Sequence, residues 1–487
     1  MKINNVKKQW MALLCIVAYS KFASAYFYEY SSSNLNIGLE GASSMHGDTR
    51  SSDTTPLAGP GVGNITYHSR AFISACPTVL VRTDGNPMAL CTAYLDRSPV
   101  IRILNKDNGF SMANLKLNSG TLLGGVYAYL DSQDRLVMVD GKNDLIRIRA
   151  DLVSGPLGKN WDLTIDSKVS LVSAITKYCG SPSCDGVVSL SVDEDSAIWF
   201  VSQQSVVGVL DTETGNISTV KLAENELIHN SFSTASGRRA AIATDRALYL
   251  LKKDELGNPV IKWRHTYNAG THRKPGQLSH GTGATPTFFG PNTGTEYVTI
   301  SDNADNLISL IVRDATTVEG KLICQQRLFD KNSSGTENSA IGVGNTVIVA
   351  STYGYPYPAV PKGAGKAIPE TADFVGGMIR VDVREDKSGC DVIWKNAVRS
   401  SAVPKLSTSD QLIYTVERKH ILGKYKTTNM DSFHFTVIDP NTGMTLSQNF
   451  IGAGLFQDTL QTAGNAGEGG IYWQGTTSGV TRIESRK

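Results

Sequence analysis

Long apolar runs are nearly absent from this chain of 487 residues. The one exception, residues 10–19 (WMALLCIVAY), is ten residues long. A helix needs ~20 to cross a bilayer, so no integral membrane association is expected. A block of charge of one sign is also missing: 47 Lys and Arg stand against 45 Asp and Glu, a formal charge of +2. That removes the electrostatic footprint expected of a protein that binds nucleic acid or an anionic membrane surface. No segment sustains a 3.6-residue apolar period, which excludes helical bundles and coiled coils. No C-x-x-C occurs and no His stands at ligand spacing, which argues against zinc. The absence of C-x-x-C-H excludes a covalent c-type haem, and without G-x-S-x-G there is no serine-hydrolase elbow. The glycine-rich GVGNTVIVA and GTGATPT have no helix after them, so neither is a phosphate loop.

The amino terminus has the form of a secretory leader. Lys2, Lys7 and Lys8 precede the short apolar core, and Ala23-Ser24-Ala25 follows, giving an expected signal peptide over 1–25. The expected location is therefore periplasmic or secreted. Cys15 follows Leu14 rather than a small residue, which argues against a lipid-anchored cysteine. Cleavage would remove four lysines and no acids, taking the formal charge from +2 to −2. Six cysteines remain: Cys76, Cys91, Cys179, Cys184, Cys324 and Cys390. An even number in an exported chain points to disulfides. Cys76 and Cys91 flank a hairpin whose turn reads DGNP, Cys179 and Cys184 flank the tight loop GSPS, and Cys324–Cys390 remains by elimination.

Residues 26–63 are rich in Ser, Gly and Asp and lack periodicity, so they read as an irregular lead-in. Beyond them one unit recurs: a strand ending near an Asp, a Gly-containing turn, then a second strand. It stands clearly at 101–117, 207–222, 248–263, 307–328, 378–394 and 435–450, more loosely at 144–171, and cut short at 479–487. Two further strands precede each copy. Four antiparallel strands, repeated, are the pattern of β-propeller blades. The expected fold is all-β, a single eight-bladed β-propeller over 64–487, with seven blades as the alternative. The last copy lacks its outer strand, and NITYHSR (64–70) would supply it, closing the ring and removing an exposed edge.

The repeats LDTETGNIS, IDPNTGMTLS and DVREDKSGCDVIW resemble the D-x-x-T-G-x-x-x-W blades of the pyrroloquinoline-quinone (PQQ) type propeller superfamily. The lead-in SSMHGDTRSSDTTPLAGPG (43–61) is similar to the opening W-x-x-x-(R/H)-G-D-x-x-x-(S/T) of such proteins. This resemblance implies a quinoprotein-like fold and, with it, the option of quinoprotein oxidoreductase activity. The chain departs from the pattern: the signature Trp survives only as Trp263 and Trp394, and no adjacent Cys-Cys pair is present to sit beside a quinone. Residues 281–305 and 350–358 also look like stretches of uncharacterised exported bacterial proteins. A fold of this kind does not fix a function.

Aligning the units places a ring of polar residues at one mouth of the channel: Asp185, His229, Asn230, His280, Glu337, Asn338, Arg399 and Asp458. The first two blades add Cys76-Pro77-Thr78 and Gly124-Gly125. Oxygen ligands Asn230, Glu337, Asn338 and Asp458 would suit Ca²⁺, and propeller lactonases resemble this in position. His229, His280 and Arg399 would serve acid–base work or hold an anionic ligand. Residues 353–374, rich in Pro, Gly and Tyr, form an insertion expected to cover the mouth, to present exposed Tyr to a partner, or to pack on its own blade. VDEDS (192–196) and SDNADN (301–306) read as turns, the former solvated, and His46 as an idle residue of the lead-in. The leading function is a binding module for a small molecule or protein; a quinoprotein oxidoreductase or calcium-dependent hydrolase is the alternative.

Overall fold

The computed structural model describes residues 27–31, 34–118, 127–155, 158–181, 183–361, 363–421 and 426–486. The expected leader and Gly124-Gly125 lie outside them. Strands dominate; the described helix is confined to Val172–Thr176 and a 3₁₀ turn at Leu455–Gln457. No helix among the described residues is long and apolar enough to cross a membrane.

Eight sheets form eight blades. In chain order they span 74–116, 129–170, 187–221, 233–266, 287–327, 341–396, 405–453 and 465–485. The first strand of each blade lies innermost. The middle strands are buried on both faces between neighbouring blades, which is why they read as continuous apolar runs such as IWFVS (198–202) and VVGVL (206–210). One interblade core, between the first two blades, packs Leu80, Ile101 and Ile103 against Leu130, Met138 and Ile146.

The ring closes as its truncated last repeat requires. Ile65–Ala71 lies antiparallel to Gly479–Ser485, in register from Ile65↔Ser485 to Ala71↔Gly479, as the outer strand of the eighth blade. The surviving signature tryptophans lock blade to blade. Trp394 donates from Nε1 to Pro440 O (2.9 Å) in the next blade. Its ring covers Gly443, where a Cβ would stand 2.6 Å from it and φ is +71°. Trp263 covers Gly320 in the same way. The three expected cysteine pairs all lie at disulfide distance. Cys324–Cys390 joins the outer strands of the fifth and sixth blades.

The lead-in is where the sequence reading falls short. Residues 42–55 are almost wholly buried and occupy the centre of the ring. The inner strands donate backbone hydrogen bonds to them in turn: Val81 N to Ala42 O, Leu130 N to Ser43 O, Thr234 N to Thr49 O, Phe288 N to Arg50 O, Gly342 N to Ser52 O and Leu406 N to Asp53 O, all at 2.7–3.0 Å. Asn465 Nδ2 reaches Ser44 O, and Asn34 Nδ2 reaches Val192 O. Every blade is thereby tied to the lead-in. Thr54–Thr55 adds a parallel strand inside the seventh blade. No apolar period marks this segment because its backbone is satisfied by seven different sheets rather than by one. Asp193 of VDEDS is likewise buried, not solvated. It binds Trp199 Nε1 (2.9 Å) and Lys253 Nζ (2.7 Å), the latter in the next blade.

Candidate functional site

The insertion 353–374 folds over one mouth. Gly354 N donates to Pro275 O (3.0 Å) and Ile368 N to Arg273 O (3.0 Å). The Arg273 guanidinium grips Gly365 O and Gln277 O. At Gly276, φ is +85° and a Cβ would stand 1.8 Å from Thr352 O, so only glycine permits this close approach of the two loops. The tyrosines point inward, contrary to the expectation of exposed recognition side chains. Tyr355 is buried, hydrogen-bonds Asp458 and meets Tyr357 and Phe374 edge-on at 4.7 and 5.5 Å.

Between this cap and the plug lies a cavity of about 180 Å³. Met45 and His46 of the lead-in form part of its wall, with Asn230, Glu337, Asn338 and Ser339 on the inner-strand side. Tyr127 and Tyr357 add rings, and Tyr94 and Arg97 also line it. Glu337 leans against Gly283, where a Cβ would fall 2.1 Å from its Oε2. Neither Glu337 oxygen nor Asn230 Nδ2 completes a well-formed hydrogen bond within the protein. Burial pushes the Glu337 carboxyl up to about 8, against the weaker pull of Leu278 N–H, Arg273 and Asn230 toward the charged form. At neutral pH it is therefore a carboxylic acid, able to donate as well as accept. Burial raises the phenols of Tyr127 and Tyr357 also.

His46 lines the cavity too, although the sequence alone reads it as an idle residue of the lead-in. Its Nδ1 lies 3.0 Å from Asp53 Oδ1, and Asp53 N closes the same turn by donating to His46 O (3.0 Å). Ser339 Oγ donates to Asp53 Oδ2 and stands 3.0 Å from His46 Nδ1. Ser51 and Asp53 hold φ of +55° and +50°, a conformation non-glycine residues seldom adopt. The signal that would have revealed the segment is its density of short hydroxyl and carboxylate side chains, able to satisfy one another when buried.

Of the predicted ring, Asn230, Glu337 and Asn338 come together in the cavity wall; the others do not reach it. Asp458 is held by Arg418 Nη1 (2.9 Å) and Tyr355. Arg399 supports the cap, donating to Phe374 O (2.6 Å) and Arg418 O (2.8 Å). His280 Nε2 lies 3.2 Å from Gly270 O, and His229, lowered by burial, sits near His280 and Asp245 outside the cavity. Asp185 Oδ1 accepts from Gly186 N and Gln204 N in a local turn. Asp302 does the same with Ala304 N and Ser309 N.

The donors gathered here do not suit calcium. One carboxyl group and two amides fall short of the six to eight oxygens that a hard divalent ion takes. No cluster of three His, Cys, Asp or Glu able to hold a metal occurs among the described residues. PQQ fits no better: it is a tricarboxylate, and among the described residues Arg97 is the one Lys or Arg lining the cavity.

No family model matches the chain, and no curated protein does. Among solved structures it is similar to the quinohemoprotein alcohol dehydrogenase from Comamonas testosteroni, at TM-score 0.54 and 9% identity, covering 91% of this chain and 80% of that one. It is also similar to Sqt1 from Chaetomium thermophilum, at TM-score 0.52 and 9% identity, covering 88% and 100%. These likenesses define the class, a β-propeller. One neighbour is an oxidoreductase and the other carries no enzyme name, so the shared fold selects neither function.

Proposed function

We propose that the chain is an exported binding protein that holds a small, largely apolar molecule with a hydrogen-bonding head group beneath the 353–374 cap. The observation that carries this reading is the pairing of buried polar atoms that lack well-formed hydrogen bonds, on Glu337 and Asn230, with a mostly carbon-lined cavity. Such atoms cost ~1–3 kcal/mol each when left unsatisfied, and a ligand's amide, acid or hydroxyl would satisfy them. The volume matches a ligand body of roughly benzene size, since a cavity of ~150 Å³ takes benzene. The cysteine pairs at bonding distance agree with an oxidising compartment. A calcium-dependent hydrolase and a quinoprotein are the weaker readings, given the donor set.

The test is a thermal-shift screen of neutral aromatic and aliphatic fragments bearing amide, carboxyl or hydroxyl groups. Binding at 100 times Kd stabilises by ~2.7 kcal/mol. Hits should stabilise the wild type and lose that effect in Ala359→Trp, which fills the cavity, and in Asn230→Ala. Fragments that bind both variants as well as the wild type would reject the cavity as the site. A melting curve shifted by calcium and restored by chelator would instead revive the metal reading.

A further inference from the structure

His46 is held as a base is held. Asp53 is fully buried and its carboxylate can only accept, so the proton shared at 3.0 Å belongs to His46 Nδ1. In the neutral ring the lone pair is then on Nε2. Among the described residues that atom has no hydrogen-bond partner, and His46 lines the cavity. His46 also lines a second, smaller cavity of about 40 Å³, with Ser44, Asp48 and Ser191 in its wall. This side chamber is large enough for water, with these three side chains as polar partners.

We propose that the capped cavity is a hydrolytic site, in which His46 Nε2 is the general base that activates water against a neutral ester or lactone and Asp53 is its positioning residue. This rests on the cavity being a ligand site, as argued above. In the reaction the water oxygen bonds to the carbonyl carbon as its proton passes to Nε2. The carbonyl oxygen becomes an oxyanion, received by the Glu337 carboxyl and the amides of Asn230 and Asn338. Collapse of this intermediate breaks the carbon–oxygen bond to the leaving group, and the imidazolium returns the proton to the departing alkoxide. One acid and one alcohol result, or a hydroxy acid from a lactone, with no change of oxidation state.

Ser339 is not the nucleophile. Its hydroxyl donates to Asp53 and faces Nδ1, on the side of the ring that carries the proton. The substrate is neutral because the cavity wall holds one cation, Arg97, and a carboxyl group that burial keeps protonated. Tyr127 and Tyr357 face Glu337, and Arg273 acts on it from the loop beneath the cap.

Hydrolysis of p-nitrophenyl butyrate and of δ-valerolactone by the full chain tests this. Saturable turnover is expected, with kcat/KM lowered at least ~100-fold in His46→Gln. Asp53→Asn should lower kcat and alter the shape of the pH–rate profile, because an amide permits the wrong tautomer. His229→Gln, outside the cavity, should stay within about threefold of wild type, roughly 0.6 kcal/mol. Because changes in the plug can impair folding, the wild type is also treated with diethyl pyrocarbonate. Inactivation should track carbethoxylation of His46, mapped by mass spectrometry, and a cavity-binding fragment should slow both. A folded His46→Gln within threefold of wild type, an unreactive His46, or no saturable turnover of either probe would overturn the proposal. Fragment binding without turnover rejects the catalysis alone; absence of both rejects the binding reading with it.

Discussion

Asp48 offers the sharpest test of the plug. Its carboxylate is wholly buried and accepts from Arg50 N (3.0 Å), Ser52 N (3.1 Å), Ser52 Oγ (2.7 Å) and Arg50 Nη2 (2.7 Å). Asp48→Ala leaves the Arg50 guanidinium, itself 4% exposed, without its counter-charge. Breaking a buried pair from one side costs ~3–5 kcal/mol, and the two stranded backbone donors keep the figure toward the upper end. Unfolding entropy of ~2.1 cal/mol/K per residue gives about 1 kcal/mol per degree for a chain of this length, so Tm should fall by ~3–5 °C. Differential scanning calorimetry at one scan rate measures it. The double variant Asp48→Ala with Arg50→Ala should lose ~2–3 kcal/mol less than the sum of the single losses, because no uncompensated charge remains. Tm within 1 °C of wild type, or strictly additive losses, would refute the view that residues 42–55 are an integral, stabilising part of the ring.

Three further outcomes are expected. Replacing Cys324 and Cys390 by Ser opens a loop of 66 residues, and chain entropy puts the loss at ~4 kcal/mol; the variant should melt ~4 °C below the oxidised wild type. Glu337 has a folded-state value of about 8 against an ordinary value of 4.5. The folded state therefore retains a proton that the unfolded state has released, and stability falls as pH rises from about 4.5 to about 8. Glu337→Gln should flatten the Tm–pH curve across that window and melt above the wild type at pH 8. Gly443→Ala forces a Cβ to 2.6 Å from Trp394 at positive φ and should cost ~1–3 kcal/mol, seen as a lower denaturation midpoint with unchanged m.

The outer half of every blade was legible because its physics is local. An Asp side chain caps the tight turn, as Asp211 Oδ1 does for Glu213 N and Thr214 N and Asp439 Oδ1 does for Asn441 N, and two alternating strands flank it. Blade count and closure followed from repetition of that unit. The register placed Asn230, Glu337 and Asn338 at the mouth, and all three line the cavity. It could not say that Arg399 turns to the carbonyls of Phe374 and Arg418, or that Asp458 is claimed by Arg418 and Tyr355, because those partners lie 19–103 residues away in the chain. The His46–Asp53 pair was hidden for the same reason. Its meaning depends on Ser339, which is 286 residues from Asp53, and on a segment whose hydrogen-bond partners are spread over the whole ring.

The threaded lead-in has a consequence for the order in which the molecule assembles. Residues 42–55 emerge first from synthesis, yet the blades that receive them are completed one by one, the last at the carboxyl end. Ile65 finds its partner at Ser485, more than four hundred residues later. Such separations raise contact order and make the final closure an expensive loop-closing event. Successive blades therefore can collapse onto their neighbours early, while the hole at their centre stays open until Ile65–Ala71 meets Gly479–Ser485. Ring closure and formation of the cavity floor become one late step, and the cavity exists only in molecules that have finished folding.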